Sequence, residues 1–221
     1  MDDNEQLEID LLETKRCIFR SFASINSLFF LDNEKTKIKA AFDMAFRHKL
    51  STSLIVVGGS AGNSIQLIKS VLASYKNDFF QATSLNTDSR FDTSKNYVAK
   101  VSGSLQVSDQ EALEDLANQF FVRTEKESAS SLFVEDLEDH FRQCRLDGIP
   151  AIIVIEDFHV FTKKKRQTLI YTLLDLMHKK ELLFMIVGIT DHADVETTLE
   201  KRVLSRLNTQ YVFMSRPSGA D

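Results

Sequence analysis

The sequence predicts an α/β fold of the P-loop nucleotide type, with a parallel sheet covered by helices on both faces. Short apolar runs without helical spacing, such as residues 151–155, alternate along the chain with segments of helical periodicity. A glycine-rich segment, VGGSAGNS at residues 57–64, lies between such a run and a helical segment. Glycine there lets backbone N–H groups close on a phosphate at a helix start. Two acids, Glu156 and Asp157, follow the third run, and together these features predict a nucleotide site.

Hydrophobic periodicity gives the elements in order. Apolar runs predict five strands, at residues 54–57, 97–101, 151–155, 182–189 and 210–214. Helical spacing predicts helices at residues 7–24, 34–49, 65–75, 113–120, 134–144, 165–180 and 195–207. Polar composition marks residues 76–96 and 125–131 as connections, and Gly148 with Pro150 ends the helix before the third strand. In parallel sheets ligands bind at the carboxyl ends of strands, where the glycine loop, the two acids and Thr190 all fall.

Composition limits the classes of function. The 221 residues are 43% hydrophobic with seventeen Phe, enough for one full core. A net charge of -5 gives no general attraction to nucleic acid, so any DNA contact must be local. Two cysteines without metal spacing indicate a reducing compartment, and we interpret Cys17 and Cys144 as buried small residues. No apolar run reaches eighteen residues, and the acidic amino terminus does not suit a secretory signal, so no membrane association is expected.

We expect three parts along the chain. Residues 1–50 are predicted as N-terminal helices that pack on the core, residues 51–215 as the α/β core, and residues 216–221 as a C-terminal tail.

The glycine loop departs from the phosphate-loop pattern G-x-x-x-x-G-K-[ST]. The candidate loop residues are Gly58, Gly59, Gly62, Asn63 and Ser64. Ser64 keeps the hydroxyl and Gly62 the second glycine, whereas Asn63 replaces the lysine that would contact the phosphates. Two hypotheses remain at this point: a degenerate nucleotide loop, and a glycine turn without a ligand.

The acid pair is reversed with respect to the usual Asp-Glu order of nucleotide-hydrolysing P-loop proteins. Glu156 and Asp157, with Ser64, are candidate ligands of Mg²⁺, and the alternative is that both acids are simply exposed at a strand end. Positioning dominates phosphoryl transfer, so the changed side-chain lengths predict impaired hydrolysis. His159, two residues further on, is interpreted as a solvent-facing turn residue.

The strongest basic run follows the acid-tipped strand and consists of Lys163, Lys164, Lys165 and Arg166. Four adjacent cations suit a salt-sensitive contact with nucleic-acid phosphates. The alternative is a solvated helix start, although cations are unfavourable at a helix amino terminus.

Two arginines precede the last strand. Arg202 and Arg206 are spaced i, i+4 and would share one face of the predicted helix. A guanidinium supplied to the γ-phosphate of a neighbouring subunit stabilises the transition state. The alternative is that both form salt bridges with Glu196 and Glu200.

The carboxyl-terminal motifs resemble a known family. The segments IIVIEDFHVF (152–161), QTLIYTLLD (167–175), VGIT (187–190) and LEKRVLSR (199–206) follow the glycine loop in that order. They are similar to an AAA+ domain of the initiator clade, in the subunit 4 family of the eukaryotic origin recognition complex. The similarity is strongest over residues 150–214 and thinner over residues 7–75.

The resemblance implies an AAA+ three-layer αβα domain, a nuclear location and a part in DNA replication initiation. It implies that Arg206 is an arginine finger in trans, with Arg202 as its helper, and that Thr190 is a polar sensor. The implied partners are other subunits of the complex, especially its large ATPase subunit, and origin DNA. Lid and winged-helix domains, which the family has, are expected to lie outside this chain.

Three functional hypotheses follow. In the first, the chain has a degenerate ATP site of its own and contributes arginines to a composite ATPase site, without being an autonomous ATPase. In the second, it is an active ATPase that binds ATP and Mg²⁺ through an unusual loop. In the third, it is a degenerate AAA+ scaffold for protein interactions.

Overall fold

Five parallel strands form a single sheet in the computed structural model, which describes residues 31–58, 61–75, 97–120 and 132–214. The strands are β1 (Thr52–Val57), β2 (Val98–Ser102), β3 (Ala151–Glu156), β4 (Phe184–Thr190) and β5 (Thr209–Phe213). Their spatial order is β2-β3-β4-β1-β5. The predicted α/β fold with a five-stranded parallel sheet is confirmed, and β1 and β3 each lie next to β4.

In the described part of the chain, one helix precedes β1, and the others follow between successive strands. They are α1 (Asp32–Phe46), α2 (Ala61–Tyr75), α3 (Asp109–Phe120), α4 (Leu132–Asp147), α5 (Phe158–Thr162), α6 (Thr168–Met177) and α7 (Lys201–Leu204), with a 3₁₀ turn at Val195–Thr198. No helix among these described residues is long and apolar enough to cross a membrane.

The central strand β4 has all seven residues buried. A strand covered on both faces needs apolar side chains at successive positions, which is why its sequence shows a run rather than an alternation. Gly188 in its middle has no side chain, and the Phe158 ring fills that space: a Cβ at Gly188 would lie 3.0 Å from the ring. This close packing fixes the start of α5 against the sheet.

Helix α1 packs on α2 through aromatic rings. Phe46 and Tyr75 stack with centroids 4.6 Å apart, and the Tyr75 hydroxyl donates a hydrogen bond to Asp43 at 2.8 Å. Contacts group Asn33–Asp221 into one compact unit and Met1–Asp32 into another. The predicted division into parts at residues 50 and 215 stays a prediction.

One predicted helix is wrong, and another begins later than predicted. The helix predicted at 165–180 is present as α6, which begins three residues later and ends three residues earlier, whereas the one predicted at 195–207 is replaced by the 3₁₀ turn and α7. Gln167, buried and left-handed at φ 44°, lies before α6. Its amide group donates to the carbonyls of Thr162 and Thr198 and accepts from the Glu200 N–H at 3.0 Å. One side chain thus joins the start of α6 to the break between the 3₁₀ turn and α7, because these backbone groups bond to Gln167 rather than within a helix.

Several sequence predictions fall outside the described residues. They are the helix at 7–24 with Cys17, the connections at 76–96 and 125–131, Gly59 of the glycine loop, and the tail at 216–221. Cys144 is buried, as expected.

Candidate functional site

The carboxyl end of the sheet brings three predicted features together. β1 ends at Val57 before the glycine loop, β3 ends at Glu156, and β4 ends at Thr190. The Gly58 N–H donates to the Thr190 carbonyl at 2.8 Å, which ties the loop start to β4. Gly58 has φ 85°, a conformation that strongly favours glycine.

Ser64 is turned into the protein. Its side chain is fully buried in α2, and its hydroxyl donates to the Gly58 carbonyl at 3.3 Å. Asn63 is exposed in the first turn of the same helix, and Gly62 precedes it there. This bond uses the hydroxyl hydrogen and fixes the orientation of the oxygen, whose lone pairs remain for a cation.

The two acids are engaged on the side of β3 that faces β2. Glu156 forms an ion pair with Lys100 of β2 at 2.7 Å, without hydrogen-bond geometry. Asp157 accepts hydrogen bonds from the hydroxyls of Ser102 at 3.1 Å and Ser104 at 2.5 Å. Since β2 lies across β3 from β4 and β1, both carboxylates bond away from the glycine loop.

Gly103 permits this arrangement. A Cβ there would lie 2.6 Å from the Asp157 carbonyl oxygen, so only glycine allows the chain after β2 to approach so closely. Asp157 itself is left-handed at φ 49°. These contacts could not be predicted from the sequence, because they depend on which strand lies beside β3.

Thr190 lies beside two histidines. Its buried hydroxyl accepts from the His192 N–H at 3.1 Å and lies 3.3 Å from Nδ1 of His159. The interpretation of His159 as solvent-facing is wrong: its side chain is only 16% exposed and stacks on His192 with ring centroids 4.0 Å apart. Burial, and then the His192 ring, lower the pKa of His159 from its ordinary value. The signal in the sequence was a histidine three residues after β3 and another two residues after β4.

Arg202 and Arg206 meet on an aromatic ring. Their guanidinium carbons lie 4.9 and 4.7 Å from the centroid of Tyr171, which α6 provides. The predicted helix that would place Arg202 and Arg206 on one face is wrong, because α7 ends at Leu204 and Arg206 lies beyond it. The cation–π contact with Tyr171 brings the two side chains together instead.

Each of these arginines has an acidic partner. Arg202 forms an ion pair with Glu200 at 2.5 Å, as one sequence alternative predicts, and also donates to the Arg166 carbonyl. Arg206 pairs with Asp175 at 3.2 Å rather than with Glu196 or Glu200, and it donates to the Arg202 carbonyl at 3.3 Å. The Arg206 side chain is 32% exposed, so it is both held and accessible.

Arg206 lies at the amino end of the sheet. It precedes β5, whose first residue is Thr209, and it lines a cavity of about 300 Å³ with residues that include Leu50, Ser51 and Thr52 at the start of β1. The glycine loop follows the other end of β1. At about 3.3 Å per residue, the six residues of that strand place about 20 Å between them.

The basic run lies between α5 and α6. Lys163 is the C-cap of α5, a place where a cation is favourable, so the predicted unfavourable helix start is wrong. Lys164 is drawn to the protein by Asp109 at 3.3 Å and by the Phe161 ring, whereas Lys165 and Arg166 are exposed. Nucleic-acid binding by this run stays a prediction.

Comparison with known proteins points to one family. No family model matches the chain. Subunit 4 of the origin recognition complex from Xenopus laevis is 23% identical over 200 residues, which cover 88% of this chain and 44% of that protein. Subunit 4 from Oryza sativa subsp. japonica is 30% identical over 128 residues, 56% of this chain and 27% of the relative. The chain spans less than half the length of these curated relatives.

A solved structure shares the fold. A chain in the structure of the Drosophila complex bound to DNA has a TM-score of 0.59 at 14% identity, over 83% of this chain and 42% of that chain. The AAA+ type of α/β fold is therefore confirmed. So is the resemblance that the motifs of residues 150–214 indicate: this chain is similar to subunit 4 of the origin recognition complex.

Proposed function

We propose that this chain is the AAA+ domain of an origin recognition complex subunit that donates Arg206 in trans to the ATP site of a neighbouring subunit. The observation that carries the proposal is that Arg206 and the chain's own glycine loop lie at opposite ends of the sheet. An arginine side chain extends about 7 Å, so Arg206 cannot cross the length of β1 to a nucleotide bound at its own loop. An arginine at the amino end serves only a partner that docks there.

The surroundings of Arg206 suit this role. Tyr171 and Asp175 lie on consecutive turns of α6 and hold the guanidinium before a partner arrives. An incoming γ-phosphate would replace the Asp175 carboxylate with a stronger acceptor, which is a low-cost exchange at a one-third exposed site. Arg202 is held more firmly, by Glu200 and the Arg166 carbonyl, and acts as the helper.

The chain's own nucleotide site is proposed to be degenerate. Asn63 brings no cation to the phosphates, and Ser64, Glu156 and Asp157 already have partners in this chain. A Mg²⁺ ion would have to compete with Lys100 for Glu156, and with Ser102 and Ser104 for Asp157. Thr190, the proposed sensor, lies within reach of the loop, but it bonds to His192. We therefore propose that ATP and Mg²⁺ bind here weakly, and that the chain is not an autonomous ATPase.

The family supports the wider role. The relatives are subunits of the origin recognition complex, and the similar Drosophila complex was solved bound to DNA. We propose the same setting for this chain: assembly with the other subunits, especially the large ATPase subunit, on origin DNA in the nucleus.

ATP turnover by the large partner subunit tests the proposal. The rate should rise when this chain is added to the reconstituted complex, and labelled ATP should show no sub-micromolar binding to the chain alone. Turnover by the isolated chain would instead support the active-ATPase hypothesis. A partner rate that does not depend on this chain would support the scaffold hypothesis.

A further inference from the structure

A second cluster of chemically capable side chains lies beyond the residues of the proposed function. His159 lies in the first turn of α5 just after β3, and Asp191 and His192 follow β4, the neighbouring strand. The packing of Phe158 against Gly188 holds His159 close to the end of β4. One donor atom of each of the three residues lies within 4.8 Å of the other two.

The distances suit a small metal ion. Oδ1 of Asp191 lies 3.4 Å from Nδ1 of His159 and 2.7 Å from Nδ1 of His192. Tetrahedral coordination with bonds of about 2.0–2.2 Å puts ligand atoms about 3.3–3.6 Å apart. The contact with His159 already has this length. The contact with His192 is a hydrogen bond and would open by about 0.7 Å, which the exposed Asp191 side chain permits. The His192 ring, which stacks on His159, would also have to turn so that each ring plane contains the ion, and its side chain is 38% exposed.

We propose that His159, Asp191 and His192 bind a divalent transition-metal ion of the zinc type. Two imidazole nitrogens and one carboxylate oxygen form a borderline ligand set that suits Zn²⁺ or Co²⁺, whereas Mg²⁺ and Ca²⁺ require oxygen ligands. Three protein ligands leave the fourth position to water. This site is separate from the proposed Mg²⁺ ligands and does not depend on the trans role of Arg206.

Some charged groups around the cluster favour metal binding, and one opposes it. Asp157 adds negative charge near His159, and the lowered pKa of His159 keeps its ring neutral and able to bind metal at neutral pH. The hydrogen bond with His192 lowers the pKa of Asp191, so this carboxyl stays ionised. Lys163 opposes a cation: its ammonium lies 3.1 Å from Nε2 of His192. Lys163 is exposed and on a long side chain, so it can turn into solvent.

Metal binding would change the hydrogen bonding of Thr190. The Thr190 hydroxyl lies 3.3 Å from the same His159 nitrogen that faces Asp191. If that nitrogen bound a metal, its contact with Thr190 would be lost, and the hydroxyl would keep only the His192 N–H. The ion would therefore change the hydrogen bonding of the residue proposed as sensor.

Calorimetric titration of the purified chain with ZnCl₂ at pH 7.5 tests the site, with Co²⁺ absorption to report coordination geometry. We expect saturable 1:1 binding, and tetrahedral Co²⁺ bands. His159→Ala, His192→Ala and Asp191→Asn should each weaken Zn²⁺ more than the about 10–100-fold that follows loss of an outer-shell partner. His48→Ala, which removes an exposed histidine elsewhere, should bind like the parent chain.

A further variant distinguishes a metal site from a structural histidine pair. Lys163→Gln removes the opposing charge and should tighten Zn²⁺ binding, and ZnCl₂ should raise the unfolding temperature of this variant and of the parent but not of His192→Ala. Circular dichroism without metal checks that each variant is folded. Absence of 1:1 binding in the parent chain would overturn the proposal. So would Zn²⁺ affinities of His159→Ala and His192→Ala equal to that of the parent, or weaker Zn²⁺ binding in Lys163→Gln.

Discussion

The two ends of the sheet use their polar side chains in different ways. At the carboxyl end, Ser64, Glu156 and Asp157 are each engaged by a partner in the same chain, on the Gly58 carbonyl, Lys100 and two serines. At the amino end, Arg206 rests on Tyr171 and Asp175 but stays one-third exposed. The partners of the two acids hold them away from the glycine loop, whereas the partners of Arg206 leave its guanidinium accessible to a neighbour. The comparison supports a chain that acts on another subunit's nucleotide rather than on its own.

The largest effect is expected at the amino end. Arg206→Ala should lower the partner's ATP turnover about a hundredfold or more, because a guanidinium on the γ-phosphate is lost. Arg206→Lys should lower the turnover nearly as much, since a point charge cannot replace the planar guanidinium fork. Arg202→Ala should lower it less. Folding should change little, by about 0.5 kcal/mol, as for other exposed positions.

Reconstituted complexes provide the measurement for these arginine variants. Arg142→Ala is the matched control, because Arg142 is also an exposed arginine paired with acids, Glu138 and Asp139. An unchanged partner rate with Arg206→Ala would remove the difference between the two ends.

The next effect is expected at Gln167, which lies directly after the basic run and bonds to the segment that precedes Arg202. Gln167→Ala leaves the buried carbonyls of Thr162 and Thr198 and the Glu200 N–H without their partner. We expect the free energy of unfolding to fall by about 2 kcal/mol, and the partner's turnover to fall with it. Urea unfolding measures this change in free energy. Gln143→Ala loses one hydrogen bond, to Asp147, and should cost about 1 kcal/mol or less.

A smaller effect is expected from the basic run. Replacing Lys165 and Arg166 by alanine in the assembled complex should weaken DNA binding evenly across sequences. It should also reduce the slope of log affinity against log salt by about 2, since each phosphate contact contributes about 0.9. Lys164→Ala should change this slope less, because Asp109 already holds Lys164. If the slope does not change when Lys165 and Arg166 are replaced, these side chains are solvated and do not contact DNA phosphates.

The smallest effect is expected at the carboxyl end. Asn63→Lys restores the missing cation, but it leaves Glu156 paired with Lys100 and Asp157 bonded to the serines. We therefore expect no ATP turnover near the usual 1 per second or faster. A rapid rate in this single variant would show that the acids can leave their partners, and the contrast between the two ends would then rest on Asn63 alone.

The strands could be predicted because their signal is local. A buried parallel strand needs an apolar run, and all five runs became strands within two residues of the predicted bounds. The helix predicted at 165–180 is α6 with shorter ends. The one at 195–207 could not be predicted correctly, because its break depends on Gln167, which bonds to the Thr198 carbonyl and the Glu200 N–H from about thirty positions away. The same applies to the site. Motifs located Thr190 and the arginines, but the partners of Glu156, Asp157 and His159 depend on strand order, which no single segment encodes.

The missing side chain at Gly188 limits how this domain can vary. The Phe158 ring occupies the space above the glycine, and even a methyl group there would lie 3.0 Å from it. Positions 158 and 188 therefore have to vary together: a larger residue in the strand requires a smaller one at the helix start. We expect related chains to show this covariation, and Gly188→Ala to be better tolerated with Phe158→Leu than alone. Because His159 follows Phe158 directly, any such exchange also resets the distance between that histidine and the end of the central strand.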